Sequence, residues 1–249
     1  MEGPDSRAVR LWIVRLEASE DNFARSLGAL SPEETARAER FHFDRHRRAF
    51  VMGRAALRVL LASYLGLDAA AVEFVYGPQG KPDLAPTLKN VSPSLRFNAS
   101  NSGDLAAYAF THGCEIGVDV ERYRALPDLE SIARRYFSPE ETAELLQLSP
   151  NETTAGFFNC WTRKEAVIKA MGGGLSIPLD SFRVTLGPGA AARMVSLGGN
   201  NDAGGRWTLD DFIPAPEYAG AIAYPDKPRS IQTRPVVSVD GLLEALVSK

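Results

Sequence analysis

The stretch Gly117-Val118-Asp119-Val120-Glu121 alternates apolar and acidic residues, and its reading decides the fold at the centre of the chain. A strand sends successive side chains to opposite faces, so Val118 and Val120 turn to a core while Asp119 and Glu121 share the other face. Neighbouring carboxylates repel unless something positive lies between them. Downstream, Trp161-Thr162-Arg163-Lys164-Glu165-Ala166-Val167-Ile168-Lys169 favours helix, which sets Glu165 and Lys169 one turn apart on one side, with Trp161 anchoring the N-terminal end. Mg²⁺ prefers carboxylate oxygen and is usually held by one or two carboxylates together with phosphate oxygens. The three acids and two lysines therefore suit Mg²⁺, with Mn²⁺ as the substitute ion, on a pyrophosphate. The plain alternative is a solvated strand face beside a surface ion pair of small energetic value.

Outward from this centre, Ser31-Pro32-Glu33-Glu34-Thr35-Ala36 recurs 107 residues later as Ser138-Pro139-Glu140-Glu141-Thr142-Ala143. Each copy opens a helix: Ser caps it, Pro fits its first turn, and the acids favour the positive end of its dipole. A second helix follows each copy, around Phe50 to Leu65 and around Phe157 to Met171, so two related halves are expected. Strands are expected at 9–16, 72–76, 105–111, 115–120, 182–186, 207–212 and 218–224, and loops at 90–93 and 198–205. Helices and strands do not alternate in a regular βαβ rhythm, which indicates an α+β fold.

A chain of 249 residues, 45% hydrophobic, 24% charged and with net charge −3, can bury one or two ordinary cores and gives no sign of bulk nucleic-acid binding. No apolar run approaches the roughly 20 residues that span a bilayer, and MEGPDSRAVR lacks the apolar core of a signal peptide. A cytoplasmic location away from membranes is the expectation. Cys114 and Cys160 show no metal-ligand spacing, and both are expected buried and reduced.

Taken together, GVDVE, then Phe137-Ser138-Pro139-Glu140-Glu141, then WTRKEAVIKAMGGGL resemble 4′-phosphopantetheinyl transferases of the surfactin-synthetase-activating type. The likeness extends upstream through Gly80-Lys81-Pro82 and 97–102 and downstream to 218–223, covering nearly the whole chain. It implies two similar α+β subdomains, 1–112 and 113–249, related by a pseudo-twofold, each with a small mainly antiparallel sheet on a long helix and with the active site between them. A monomer follows from both halves of the cleft lying in one chain.

The resemblance also implies a reaction: a serine of an apo acyl, peptidyl or aryl carrier protein attacks the β-phosphate of coenzyme A, and adenosine 3′,5′-bisphosphate leaves. Asp119, Glu121 and Glu165 are the implied metal ligands. Lys169 neutralises phosphate charge, and Glu165 is the leading general base, ahead of Glu141 or a metal-bound water. Coenzyme A contacts are expected from Arg37, Arg48, Arg54, Lys81, Pro82, Ser100, Asn101, Asp119, Lys164 and Lys169, with Lys164 placed either on phosphate or in a salt bridge, and the segment Asn98 to Ser102 offers short hydroxyl and amide donors to phosphate. For any single arginine of the first half, a solvated basic helix face is the competing explanation. Two positions depart from the family pattern: Asn101 replaces its usual His, giving an uncharged contact, and Glu34 stands where it often carries a lysine. The apolar helix surface around Phe137 to Leu148, or the loop after Leu148, is a candidate part of the carrier-docking face. A coenzyme-binding module without turnover, or a metal-dependent nucleotide hydrolase, are the other classes; no P-loop or Gly-rich dinucleotide turn is present to favour a nucleoside triphosphate or NAD.

Overall fold

The computed structural model describes residues 8–247. In chain order the first half comprises β1 (Ala8–Arg15), α1 (Glu20–Gly28), α2 (Pro32–Glu39), α3 (Asp44–Leu65), β2 (Phe74–Tyr76), β3 (Pro82–Leu84), α4 (Pro86–Lys89), β4 (Leu95–Ser102) and β5 (Leu105–His112). There follow β6 (Gly117–Arg122), α5 (Leu129–Tyr136), α6 (Pro139–Gln147), α7 (Pro150–Met171), β7 (Phe182–Val184), β8 (Met194–Leu197), β9 (Thr208–Phe212) and β10 (Tyr218–Tyr224). The described chain closes with β11 (Ser230–Thr233), β12 (Val237–Ser238) and α8 (Val239–Val247).

The architecture is α+β with small sheets. One sheet runs β11-β1-β5-β4, with β12 also paired to β1, and a second runs β6-β10-β9. Alternation along the strands decides the layering. Ala106, Tyr108 and Phe110 of β5 face a core shared with α3, whereas Ala107 and Ala109 face the other way. That opposite face meets Val118, Val120 and Ile222 of the second sheet. The far side of the second sheet, carrying Ala219, Ala221 and Ala223, packs on α7. Two sheets thus stack back to back between two long outer helices, and α3 and α7 are both 22 residues long.

The repeated SPEE segments form matching capping boxes. Ser31 Oγ accepts from the Glu34 amide while the Glu34 carboxylate accepts from the Ser31 amide, and Ser138 and Glu141 repeat the exchange. Each box uses up two of the amide donors that a helix start leaves free.

Several expectations need correction. Residues 95–102 form a strand, and α7 begins at Pro150, so Trp161 lies mid-helix instead of anchoring an N-terminus. Part of the expected loop at 198–205 is a 3₁₀ helix, Asn201–Arg206. A short turn joins β5 to β6, and β11 and β12 run back to pair in parallel with β1. Cys160 is buried, whereas Cys114 is half-buried. Phe137, just before α6, and Leu145 turn into the core, whereas Leu146 is exposed and Leu148 half-buried, and the loop expected after Leu148 is only Ser149 ahead of α7.

Candidate active site

The site forms along the seam where β4 of the first sheet meets β6 of the second. Every second residue of β4 reaches across. Asn98 Oδ1 accepts from the Val118 amide at 2.9 Å, Ser100 Oγ donates to Asp119 Oδ1 at 2.7 Å, and Ser102 Oγ donates to Glu121 Oε2 at 2.7 Å. Polar side chains therefore do between these strands what backbone ladders do within a sheet, which explains why so polar a segment is extended. The same bonds hold both carboxylates of GVDVE from the side.

From the other direction comes α7. Gly117 packs directly beneath it: a methyl group there would overlap the Ala166 carbonyl oxygen and come within 2.5 Å of the Ala170 amide nitrogen. With only a hydrogen between strand and helix, Lys169 Nζ reaches Asp119 Oδ1 at 2.6 Å and Ser100 Oγ at 2.9 Å. Asp119 is 4% exposed, and its Oδ2 is buried with no hydrogen-bond partner. Ser100, Asn101, Asp119, Glu121, Trp161, Glu165 and Lys169 line one cavity of about 420 Å³. Burial and then the negative field of Asp119 raise the Glu165 pKa above the ordinary carboxylate value, against the opposing pull of Lys169.

The three acids share this cavity without being drawn onto one point: among the described residues no group of three acidic, His or Cys side chains is gathered as a ready metal site. Lys169 holds Oδ1 of Asp119 instead. The donor set nonetheless fits a hard divalent ion, since all candidate ligands are carboxylate oxygens and one buried acceptor, Asp119 Oδ2, is unspent.

On the first-half side, Phe50, Gly53, Arg54, Pro82, Ser100 and Asn101 line an adjoining cavity of about 170 Å³. Arg54 lies 3.3 Å from Glu34 through Nε, flanks the rings of Phe50, Phe74 and Tyr76, and has a buried Nη1 with no hydrogen-bond partner. Arg37 sits over Phe50 at the edge of a larger groove of about 840 Å³. Arg48 is not brought to these cavities: Glu20 holds it at 3.0 Å and its guanidinium lies over Phe23. Lys81 and Pro82 wall a third cavity, of about 320 Å³, with Asn98, Glu165 and Lys169.

Two expected site residues prove internal. Lys164 is fully buried, and its Nζ lies 2.8 Å from Glu141 Oε2, 2.7 Å from the Leu179 carbonyl and 2.6 Å from the Phe182 carbonyl. The ammonium is saturated by these acceptors, so it has no donor left for coenzyme A. Glu141 is likewise consumed by the Ser138 amide, the Val184 amide and Lys164, which removes it as a general base. Asn98 and Ser102, expected as donors to phosphate, instead bind the Val118 amide and Glu121 across the seam, and the period-two spacing Asn98, Ser100, Ser102 was there to be read.

A chain with this α+β fold and this carboxylate-lysine seam falls in a defined enzyme class. Residues 15–112 match the family described as 4′-phosphopantetheinyl transferase, N-terminal, and residues 115–223 match the 4′-phosphopantetheinyl transferase superfamily. The protein belongs to this family and is a transferase of the surfactin-synthetase-activating type. It is 36% identical over 218 residues to 4′-phosphopantetheinyl transferase HetI of Nostoc sp., covering 88% of each chain. It is 34% identical over 168 residues to 4′-phosphopantetheinyl transferase Sfp of Bacillus subtilis, covering 68% of this chain and 71% of that one. The human L-aminoadipate-semialdehyde dehydrogenase-phosphopantetheinyl transferase is 30% identical over 166 residues, covering 64% and 54%.

Proposed function

We propose that this transferase moves the 4′-phosphopantetheine arm of coenzyme A onto a serine of an apo acyl, peptidyl or aryl carrier protein. The serine oxygen forms a bond to the β-phosphorus, the bond from that phosphorus to the oxygen bridging to the α-phosphate breaks, and adenosine 3′,5′-bisphosphate departs. Such a reaction depends mainly on positioning and charge neutralisation. The observation that carries the reading is the junction of Asp119, Ser100 and Lys169 at the foot of a cavity that also contains Glu121 and Glu165.

Asp119, Glu121 and Glu165 are the residues to hold Mg²⁺, and the unspent Asp119 Oδ2 supports that assignment. The ion, when bound, supplies neutralising charge to the pyrophosphate. Lys169 faces the same phosphates and offsets charge on their non-bridging oxygens. Glu165, with its raised affinity for protons, takes the serine proton. Arg54, with Ser100 and the uncharged Asn101, forms the nucleotide-phosphate wall, Arg37 extends it, and the Gly80–Pro82 turn lies along the coenzyme's path. We also read the halves as copies of one unit about a pseudo-twofold, supported by the paired capping boxes and equal long helices. Both halves contribute to one cleft, which supports a monomer as the working unit. The test is incubation with coenzyme A, Mg²⁺ and several apo carriers, read by mass spectrometry. A phosphopantetheine mass gain is expected, and none on any carrier would overturn the reading.

A further inference from the structure

We infer that Lys81 is a positioning residue: its ammonium latches the β2–β3 turn of the first half to the C-terminal turn of α7, fixing Lys169 and Glu165 in place, and does not itself bind coenzyme A. The kinetic part of this inference rests on the transfer reading above.

A helix leaves its last four carbonyls without helical partners. One of these in α7, that of Lys169, accepts from Lys81 Nζ at 2.8 Å. The Ile116 carbonyl lies at 3.5 Å and Glu115 Oε2 at 3.3 Å. An ammonium has three protons, and these three acceptors match them in number. A phosphate would have to compete with these acceptors for the ammonium. The placement is also favourable in charge, because a cation at a helix C-terminus meets the negative end of the dipole.

The acceptors are not arbitrary. Lys169 is the residue whose side chain grips Asp119, and Ile116 directly precedes the strand that carries Asp119 and Glu121. One ammonium therefore ties together the two elements that assemble the site, from a turn in the opposite half. That turn is itself fixed, with the Gly77 amide donating to the Lys81 carbonyl at 3.0 Å and the Gly80 amide to the Gly77 carbonyl at 2.9 Å. It docks at a second point as well: a methyl on Gly174 would stand 2.6 Å from Gln79 Cβ, so the loop after α7 accepts Gln79 only because glycine is there. The competing explanation, a surface ion pair with Glu115, leaves the shorter contact to the Lys169 carbonyl unexplained.

The test compares Lys81→Met, Lys81→Gln and Lys81→Arg in the full chain, with Lys89→Met on the neighbouring helix as control, since Lys89 pairs only with Asp83 among the described contacts. Coenzyme A and an apo carrier give kcat and KM, and hydrogen exchange of residues 169–174 is followed without substrate. Misplacement of about 1 Å can cost about 100-fold in rate. Lys81→Met and Lys81→Gln should therefore lower kcat about 10- to 100-fold, with KM for coenzyme A changed less than about threefold, and should speed exchange at the end of α7. Lys81→Arg, which keeps donors, should recover most of both, and Lys89→Met should alter neither. A raised KM with unchanged kcat and unchanged exchange would make Lys81 a coenzyme ligand and overturn the inference; so would no change in any readout. If the unaltered protein transfers nothing to any carrier, the transfer reading falls while the exchange comparison still decides the latch.

Discussion

Lys164 occupies in α7 the place that Arg58 occupies in α3. Arg58 lies 14 residues on from Asp44, the start of α3, and Lys164 lies 14 residues on from Pro150, the start of α7. Each pairs with the glutamate of a capping box, Arg58 with Glu34 at 2.6 Å and Lys164 with Glu141 at 2.8 Å. Each also donates to two carbonyls at a 3₁₀ turn, those of Ala69 and Val72 for Arg58 and those of Leu179 and Phe182 for Lys164. Both cations lie over a phenylalanine ring, Phe74 and Phe182 respectively.

Removing one member of such a pair strands a buried charge, at a cost of about 3–5 kcal/mol. Lys164→Met should therefore lower unfolding stability by about that amount in urea titrations. Lys164→Met with Glu141→Gln should lose less than the two single changes combined. Residual activity of Lys164→Met should follow its folded fraction, with KM for coenzyme A unaltered.

Asp119→Ala and Glu165→Gln should each reduce transfer by orders of magnitude while the protein stays folded. Loss of a positioned proton acceptor alone accounts for about 10²- to 10⁴-fold. Initial rates of holo-carrier formation, beside circular dichroism spectra, check both halves of this statement.

Arg54→Met should raise KM for coenzyme A about 10- to 100-fold with kcat little changed, the pattern of a contact made equally in ground and transition states. The figure corresponds to one hydrogen bond to a charged group, about 1.5–3 kcal/mol. Arg48→Met should shift KM less than about twofold, since Glu20 and Phe23 hold Arg48 away from the cavities.

Tyr218 donates to Asp104 Oδ1 at 2.5 Å, and this hydrogen bond, outweighing modest burial, holds the Asp104 pKa below its ordinary 3.8. A depressed carboxylate stabilises the fold above its ordinary value and loses that contribution as pH falls through the lower, folded one. Tyr218→Phe should accordingly be less stable than the unaltered chain at pH 7, by about 1 kcal/mol because Asp104 is half exposed. The gap should narrow as pH drops below 3.8, which thermal melts across pH 3 to 7 would show.

Gly117→Ala should both destabilise the protein and abolish transfer. The added methyl meets backbone of α7, which cannot rotate aside, and overpacking of this kind typically costs about 1–3 kcal/mol. Gly113→Ala, where nothing lies within 4 Å of the added carbon but the backbone is left-handed with φ +79°, should lose stability without comparable loss of activity.

Where side chains answer to local rules, the sequence was legible. Alternation in GVDVE placed Val118 and Val120 inward and Asp119 opposite, and the SPEE caps announced α2 and α6. The face bearing Asp119 meets a helix and not water, however, because which layer covers a strand depends on residues some 50 positions away. Residues 98–102 read as donors to phosphate and not as a strand because Asn98, Ser100 and Ser102 spend their polarity across a seam that no local window contains. Lys164 read equally as a phosphate ligand or a salt-bridge partner, and only the fold decides for the salt bridge: its acceptors come from Glu141, Leu179 and Phe182, none of them near it in sequence. The parallel return of β11 to β1 left no periodic trace, since four residues, Ser230–Thr233, suffice for it.

That return has a consequence for how the molecule can be divided. Strand β1 is enclosed by β5 on one side and by β11 and β12 on the other, and Val239, Leu242 and Leu243 of α8 fill the core beneath α3. A polypeptide severed after His112 would lack the strands that shield one flank of its own sheet, while the remaining piece would carry those strands with nothing to clasp. The two lobes are thus stitched by a thread that passes out and comes home, and reassembly from separate fragments should demand that both be present as folding begins.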